Sequence, residues 1–347
     1  MGAGELRRSF GPRLRDGELG ALAGRPLLVV ELDDGPDLSA LLGSLPCVVV
    51  GVAATDAALD PGAPGDVLLA DRPDPPRPWV GDAPRWLLRL EEACTAAPMA
   101  AVALVQLLRL SAALEVTDGL VAESFAYSAL QSGPEHARWL SSRRRPPPAG
   151  DTGAAVLTER LGATLSVTLN RPGRHNAYSA SMRDGLVSAL QLAHADPAIE
   201  RVELAGAGPS FCSGGDLSEF GTSPDPVTAH AVRVAAGAAS WMHRCAARTA
   251  VRVHGACAGA GVELASFAGS VTAEPGAWFS LPEVSMGLVP GAGGTVSVPR
   301  RIGRQRAALL ALSGAAIDAA TALDWGLIDR VEPPGPGRAG SVGAQRR

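Results

Sequence analysis

Val253-His254-Gly255-Ala256-Cys257-Ala258-Gly259-Ala260-Gly261-Val262-Glu263-Leu264 is the stretch on which the fold turns. It reads as the end of an apolar strand, a glycine-rich passage, and then a helix whose first turn carries an acid. Glycine has no Cβ, so backbone can come close to a ligand there. The first N–H groups of a helix have no intrahelical partner, and they suit a developing negative charge. Downstream, Phe279-Ser280-Leu281-Pro282-Glu283-Val284 sets a second glutamate after a proline-marked turn, followed by Gly287-Leu288-Val289-Pro290-Gly291-Ala292-Gly293-Gly294-Thr295. Upstream lies Ser210-Phe211-Cys212-Ser213-Gly214-Gly215-Asp216-Leu217. Two carboxylates beside two stretches of bare backbone are a set suited to acid/base chemistry next to a polarised carbonyl.

In this order and spacing the three segments resemble the crotonase (enoyl-CoA hydratase/isomerase) superfamily. The resemblance runs from Val156 to Val331. It includes Thr168-Leu169-Asn170-Arg171-Pro172-Gly173-Arg174-His175-Asn176-Ala177, similar to the family's first CoA-binding turn. It ends on the run Leu312 to Val331, with Asp324-Trp325-Gly326-Leu327-Ile328-Asp329 at its centre. The fold class implied is α/β: a crotonase-like stacked ββα superhelix, here with an N-terminal α/β extension ending in helices.

The resemblance also implies roles. The thioester oxygen would sit between the N–H groups of Gly215 and Ala260. Glu283 matches the residue that handles the proton at Cα, and Glu263 the one that orients and activates water. Glu263 lies three residues after Ala260, on roughly the same helix face. Substrate and CoA contacts map to Arg174, the backbone at Asn176 and Ala177, and Ser213, Gly214, Asp216, Leu217 and Gly259. Asp216 also reads as a loop-fixing acceptor, and Arg174 equally as a solvated surface charge. Trp241, Trp278 and Phe279 are open between acyl-pocket lining and core packing; His175 and His254 read as structural. The activity implied is hydration of a 2-enoyl-CoA. Double-bond isomerisation, thioester hydrolysis, another acyl-CoA reaction of the superfamily and a catalytically silent partner subunit stay open beside it. The substrate is a coenzyme A thioester; no further cofactor and no metal are expected. The family usually forms trimers or hexamers.

The chain has 347 residues and a formal charge of −4, so no basic field points to nucleic acid. All 31 basic residues are arginine, which excludes Schiff-base catalysis by lysine. Five cysteines without a CxxC pair read as buried thiols. The start lacks a signal core, and apolar runs such as Met99–Val105 are too short to span a bilayer, so a soluble cytoplasmic protein is expected. Gly291–Gly294 has the composition of a phosphate loop but lacks the GK[ST] ending.

Along the chain, residues 1–25 read as frayed. Pro26–Glu31, Cys47–Val52 and Val67–Ala70 read as strands. Helical patterns cover Arg85–Thr95, Pro98–Leu114, Gly119–Ser132 and Pro134–Arg143. The arginines and prolines of 143–150 read as a linker. Leu165–Leu169, Val202–Ala205 and Val251–Val253 read as strands, Ser179–His194 as an amphipathic helix, and Pro226–Ala247 as containing a helix. Residues 154–332 form the expected catalytic core, and 333–347 a disordered tail. Family members usually continue past this point with helices that cover the site. Residues 97–147 look like those helices. The 1–145 extension is therefore either a degenerate crotonase half supplying them or an unrelated appendage.

Overall fold

The computed structural model describes residues 19–32, 39–53, 55–144 and 153–334. Most of the start expected to fray, most of the linker and the tail after 334 lie outside them; residues 19–25 form a turn closed by the Gly20–Arg25 bridge.

Two blocks of chain share one core. In the first, β1 (Leu27–Leu32), β2 (Val48–Ala53) and β3 (Val67–Ala70) form a parallel sheet, with the short α1 (Ser39–Ser44) between β1 and β2. Four helices follow: α2 (Ala83–Ala96), α3 (Pro98–Ser111), α4 (Val116–Gln131) and α5 (Pro134–Ser142). Proline opens α3 and α5, where a missing N–H costs nothing. α3 buries eight residues, from Ala100 through Ser111, as its nearly all-round apolar sequence requires.

The second block begins with the hairpin β4 (Val156–Leu161) and β5 (Thr164–Leu169). Next come α6 (Ala180–Ala195), capped by Ser179, whose Oγ accepts the Met182 N–H, and then β6 (Arg201–Gly206). The expected 226–247 helix is two: α7 (Pro226–Ala236) and α8 (Ala238–Arg244). Gly237 breaks it in an extended conformation, and a Cβ there would lie 2.4 Å from the Arg233 carbonyl oxygen. β7 (Thr249–Val253) leads to β8 (Ala256–Ala258) and α9 (Ala260–Ala265). β9 (Ser270–Ala273), β10 (Trp278–Ser280), α10 (Gly294–Ile302), α11 (Arg304–Ser313), β11 (Ile317–Asp318), α12 (Ala319–Trp325) and β12 (Arg330–Val331) complete the chain.

The large sheet has the order β12-β9-β7-β6-β5-β4, parallel except at the β4–β5 hairpin. A smaller sheet, β11-β10-β8, lies beside it. The repeated step from a strand of the large sheet to one of the small, then to a helix, is the stacked ββα pattern. β8 and β10 are three-residue strands, too short for periodicity to reveal, yet they carry the chain straight into the site.

One apolar cluster spans both blocks: Trp86, Leu90, Leu104 and Leu108 pack in it with Val296, Leu309 and Leu310. Asp66 reinforces the junction. Its buried carboxylate accepts Arg109 Nε at 2.8 Å and Arg304 Nη1 at 3.0 Å, joining β3, α3 and α11. All five cysteines are buried and free.

Candidate active site

Gly259 caps the start of α9, at φ +45° and ψ −121°. A Cβ at that position would lie 2.4 Å from Glu283 Oε1, so only glycine lets this carboxylate rest against the backbone. Glu283 opens the 3₁₀ turn Glu283–Met286 directly after Pro282. Glu263 sits in the first turn of α9, and both glutamates are buried. A cavity of about 240 Å³ brings together Gly215, Ala260, Glu263 and Glu283.

The Gly215 segment pairs with Tyr178: the Tyr178 N–H donates to Gly214 O, and the Asp216 N–H to Tyr178 O. These two bonds flank Gly215 and leave its own N–H off that pairing. Ala260 is the first residue of α9, where an N–H lacks an intrahelical acceptor. Gly214, at φ +97°, allows the two segments to close: its Cβ would stand 3.3 Å from Ala258 O.

The glycine run after Glu283 does not cradle phosphate. Its N–H groups are taken by carboxylates of the protein itself. Glu263 Oε2 accepts the Ala292 N–H at 2.6 Å and the Gly294 N–H at 2.9 Å. The alternate N–H groups go to Glu123 of α4: Oε1 accepts from Gly293 at 2.7 Å, and Oε2 from the Thr295 N–H at 2.9 Å and Thr295 Oγ1 at 2.7 Å. Two buried acids thus hold one loop from opposite blocks of the chain.

Burial raises all three carboxyls of this region. Burial pushes Glu263 well above the ordinary carboxylate range, and the neighbouring Glu283 and Glu123 push it further. Burial raises Glu283 to about 8, with Glu123 adding to it. Glu123 rises to about 7 because burial outweighs its hydrogen bonds to Thr295 and Gly293. Glu283 Oε2 is buried with no hydrogen-bond partner among the described residues. That oxygen is left available to a hydrogen-bonding ligand on this wall.

The other expected contacts fall elsewhere. Asn176 is fully buried and committed to the turn: Oδ1 accepts the Arg171 N–H, and Nδ2 donates to the carbonyls of Ala207 and Ser210. Both backbone groups of Ala177 are also spent, its N–H on Arg174 O and its carbonyl on Arg171 Nη1. Asp216 fixes its loop. Burial raises it, but Ser218 and the Arg171 guanidinium at 2.7 Å outweigh that and hold it below the usual range. Ser213 Oγ donates to the carbonyl of Arg174, and Arg174 is half-buried in the same turn. The Leu217 carbonyl accepts Arg143 Nη2 from beyond α5. His175 and His254 hold loops through Ser210 Oγ and Gly208 O. Phe279 is core, Trp278 is substantially exposed, and neither they nor Trp241 line the cavity.

Phe220, Tyr127 and Tyr178 line it instead, with Arg183 and Arg233. Tyr127 comes from α4, so the N-terminal block forms part of the wall. Burial pushes both phenols up. α5 closes the Glu283 turn, its His136 Nδ1 lying 2.9 Å from the carbonyl of Met286. A Cβ on Gly291 would lie 2.4 Å from the Tyr127 ring, so the glycine is the space into which that ring fits. The 97–147 helical pattern pointed to a cover; nothing in the local sequence marked Tyr127 or Arg233 as reaching the carboxylates.

The family model for enoyl-CoA hydratase/isomerase matches residues 159–335. The chain belongs to the enoyl-CoA hydratase/isomerase family. It is 35% identical to a probable enoyl-CoA hydratase from Rhizobium meliloti over 181 residues, 52% of this chain and 69% of that one. It is 33% identical to mevalonyl-coenzyme A hydratase SIDH from Beauveria bassiana over 207 residues, 56% of this chain and 72% of that one. A solved enoyl-CoA hydratase from Thermoplasma volcanium is 31% identical, covering 52% of this chain and 73% of that chain, at a TM-score of 0.46. Its place in the crotonase superfamily makes this chain an enzyme of the hydratase/lyase type.

Proposed function

We propose that this chain adds water across the double bond of a 2-enoyl-CoA. The thioester oxygen lies between the N–H groups of Gly215 and Ala260, which hold the enolate charge as it forms. Glu263 orients water at Cβ and takes its proton; Glu283 delivers a proton to Cα. The hydroxyl ends on Cβ and the hydrogen on Cα, and the two carboxylates are left with as many protons between them as before. This chemistry calls on no resident cofactor. Support comes above all from the single cavity that holds both carboxylates and both backbone segments, with Glu283 Oε2 buried and unpartnered. Burial raises both carboxyls, and the proton is placed on Glu283, because Glu263 Oε2 accepts two backbone N–H groups that favour its anion. In the same reading the N-terminal helices serve as the cover of the site, and the enzyme works as a homo-oligomer, a trimer or hexamer.

The test is conversion of a panel of 2-enoyl-CoAs in H₂¹⁸O. Hydration places ¹⁸O on Cβ with loss of enoyl absorbance. Migration of the double bond without label, or release of free coenzyme A, would replace this reading by an isomerase or a hydrolase.

A further inference from the structure

A second cavity, of about 130 Å³, adjoins the first and is lined mainly by apolar groups, among them Leu120, Val121, Val234 and Ala238, with Glu123 and Ser124 also on its wall. The two share Tyr178, Arg183, Arg233, Gly291 and Ala292 as lining. A chain extending from the carboxylates past Gly291 would therefore enter an apolar space whose wall carries two guanidiniums.

The two differ in how their charge is met. Arg183 pairs with Asp184, with Nη2 at 2.7 Å from Oδ1. Arg233 makes no ion pair among the described residues; its partners are neutral. Nε donates to Ser124 Oγ at 3.2 Å, and Nη2 donates to Ser128 Oγ. The remaining contacts, Nη1 to Gln131 Oε1 and Nη2 to Ser124 O, are at 3.5 Å, the outer limit for such a bond. The guanidinium also lies over the Tyr127 ring, 4.4 Å from its centre. Glu123 is the acid whose field reaches Arg233, and its two oxygens are already held by the 293–295 loop. A partly buried cation with neutral anchors, an Nη1 whose contact lies at 3.5 Å and an apolar approach matches an anion at the end of a short carbon chain.

We propose that Arg233 is a specificity residue that receives a terminal carboxylate on the acyl chain, so that the preferred substrates are ω-carboxy-2-enoyl-CoAs. The serines on α4 orient the fork, and Tyr127 supports its face. This rests on the hydratase reading above. A planar guanidinium receives a carboxylate through two parallel N–H bonds, which a methyl terminus cannot use.

The test compares 2-hexenoyl-CoA with its ω-carboxylate, 2-hexenedioyl-CoA, for wild type, Arg233→Met and Arg233→Lys. Wild type is expected to favour the dicarboxylate by at least about tenfold in kcat/KM. Arg233→Met should lose about 10²-fold on the dicarboxylate and at least about tenfold less on the neutral ester, with Arg233→Lys between. Equal losses on both substrates would make Arg233 a strut between α7 and α4 and overturn the proposal. A wild-type preference for the neutral ester would overturn it too, with hydration intact. Turnover of neither substrate would instead remove the hydratase reading beneath it.

Discussion

Glu283 keeps a proton that the unfolded chain gives up. Below pH about 4.5 it is protonated in both states, so its burial adds no pH dependence. From there to about 8 the unfolded chain releases the proton while the folded one holds it, and stability falls as pH rises. Each pKa unit corresponds to about 1.4 kcal/mol. Glu283→Gln cannot ionise and should raise the melting temperature at pH 8 by roughly 5 °C, with the gain vanishing near pH 4. A variant no more stable than wild type at pH 8 would contradict this. In the proposed reading activity falls in the same direction: hydration needs Glu283 protonated, so kcat/KM for the wild type should decline above pH about 8. A flat profile from pH 7 to 9.5 would remove Glu283 from proton transfer. Both glutamates were legible because each follows a backbone signal, glycine at 259 and proline at 282. Tyr127 and Arg233 were not, because they reach the site from helices whose local pattern does not record which distant residues each side chain will face.

The loop 291–295 is an element held from two sides. Its composition resembles a phosphate loop without the GK[ST] ending; its N–H groups do meet anions, but these are the side chains of Glu263 and Glu123. Glu123→Ala would leave the Gly293 N–H and the Thr295 N–H and hydroxyl buried without acceptors. Unmade buried hydrogen bonds cost about 1–3 kcal/mol each, so a loss of roughly 3 kcal/mol in denaturant unfolding is expected. Turnover should fall about tenfold as Glu263 loses its frame. Stability within about 0.5 kcal/mol of wild type would show that Glu123 does not brace the loop. The long elements were readable to within three residues at their ends. The short strands β8 and β10 were not, since three residues establish no period, and the break at Gly237 came from a close approach to the Arg233 carbonyl.

At the scale of the molecule, the two blocks depend on each other. Trp86 and Leu104 share a core with Leu309, and Asp66 faces Arg109 and Arg304 at the boundary. Asp66→Ala would leave two guanidiniums partly buried without their anion, at a cost of about 3–5 kcal/mol. Cooperative unfolding at lower denaturant, probed by Trp86 on one side and Trp241 on the other, should shift together. Separate transitions would mean that the blocks fold as independent units. The sequence pattern separated a helical N-terminal block from the glycine-rich one. That a single apolar cluster joins them depends on contacts between residues some two hundred positions apart, which no local period encodes. Those contacts set Tyr127 and Glu123 beside Glu263 and Glu283.

The account stands on two carboxylates acting at one cavity. Single-turnover hydration of a 2-enoyl-CoA by wild type, Glu263→Gln and Glu283→Gln, with acyl-CoA affinity measured on the same preparations, tests that directly. Each variant is expected to lose about 10²–10⁴-fold in rate while binding within about threefold of wild type. Hydration at the wild-type rate by either variant would contradict it.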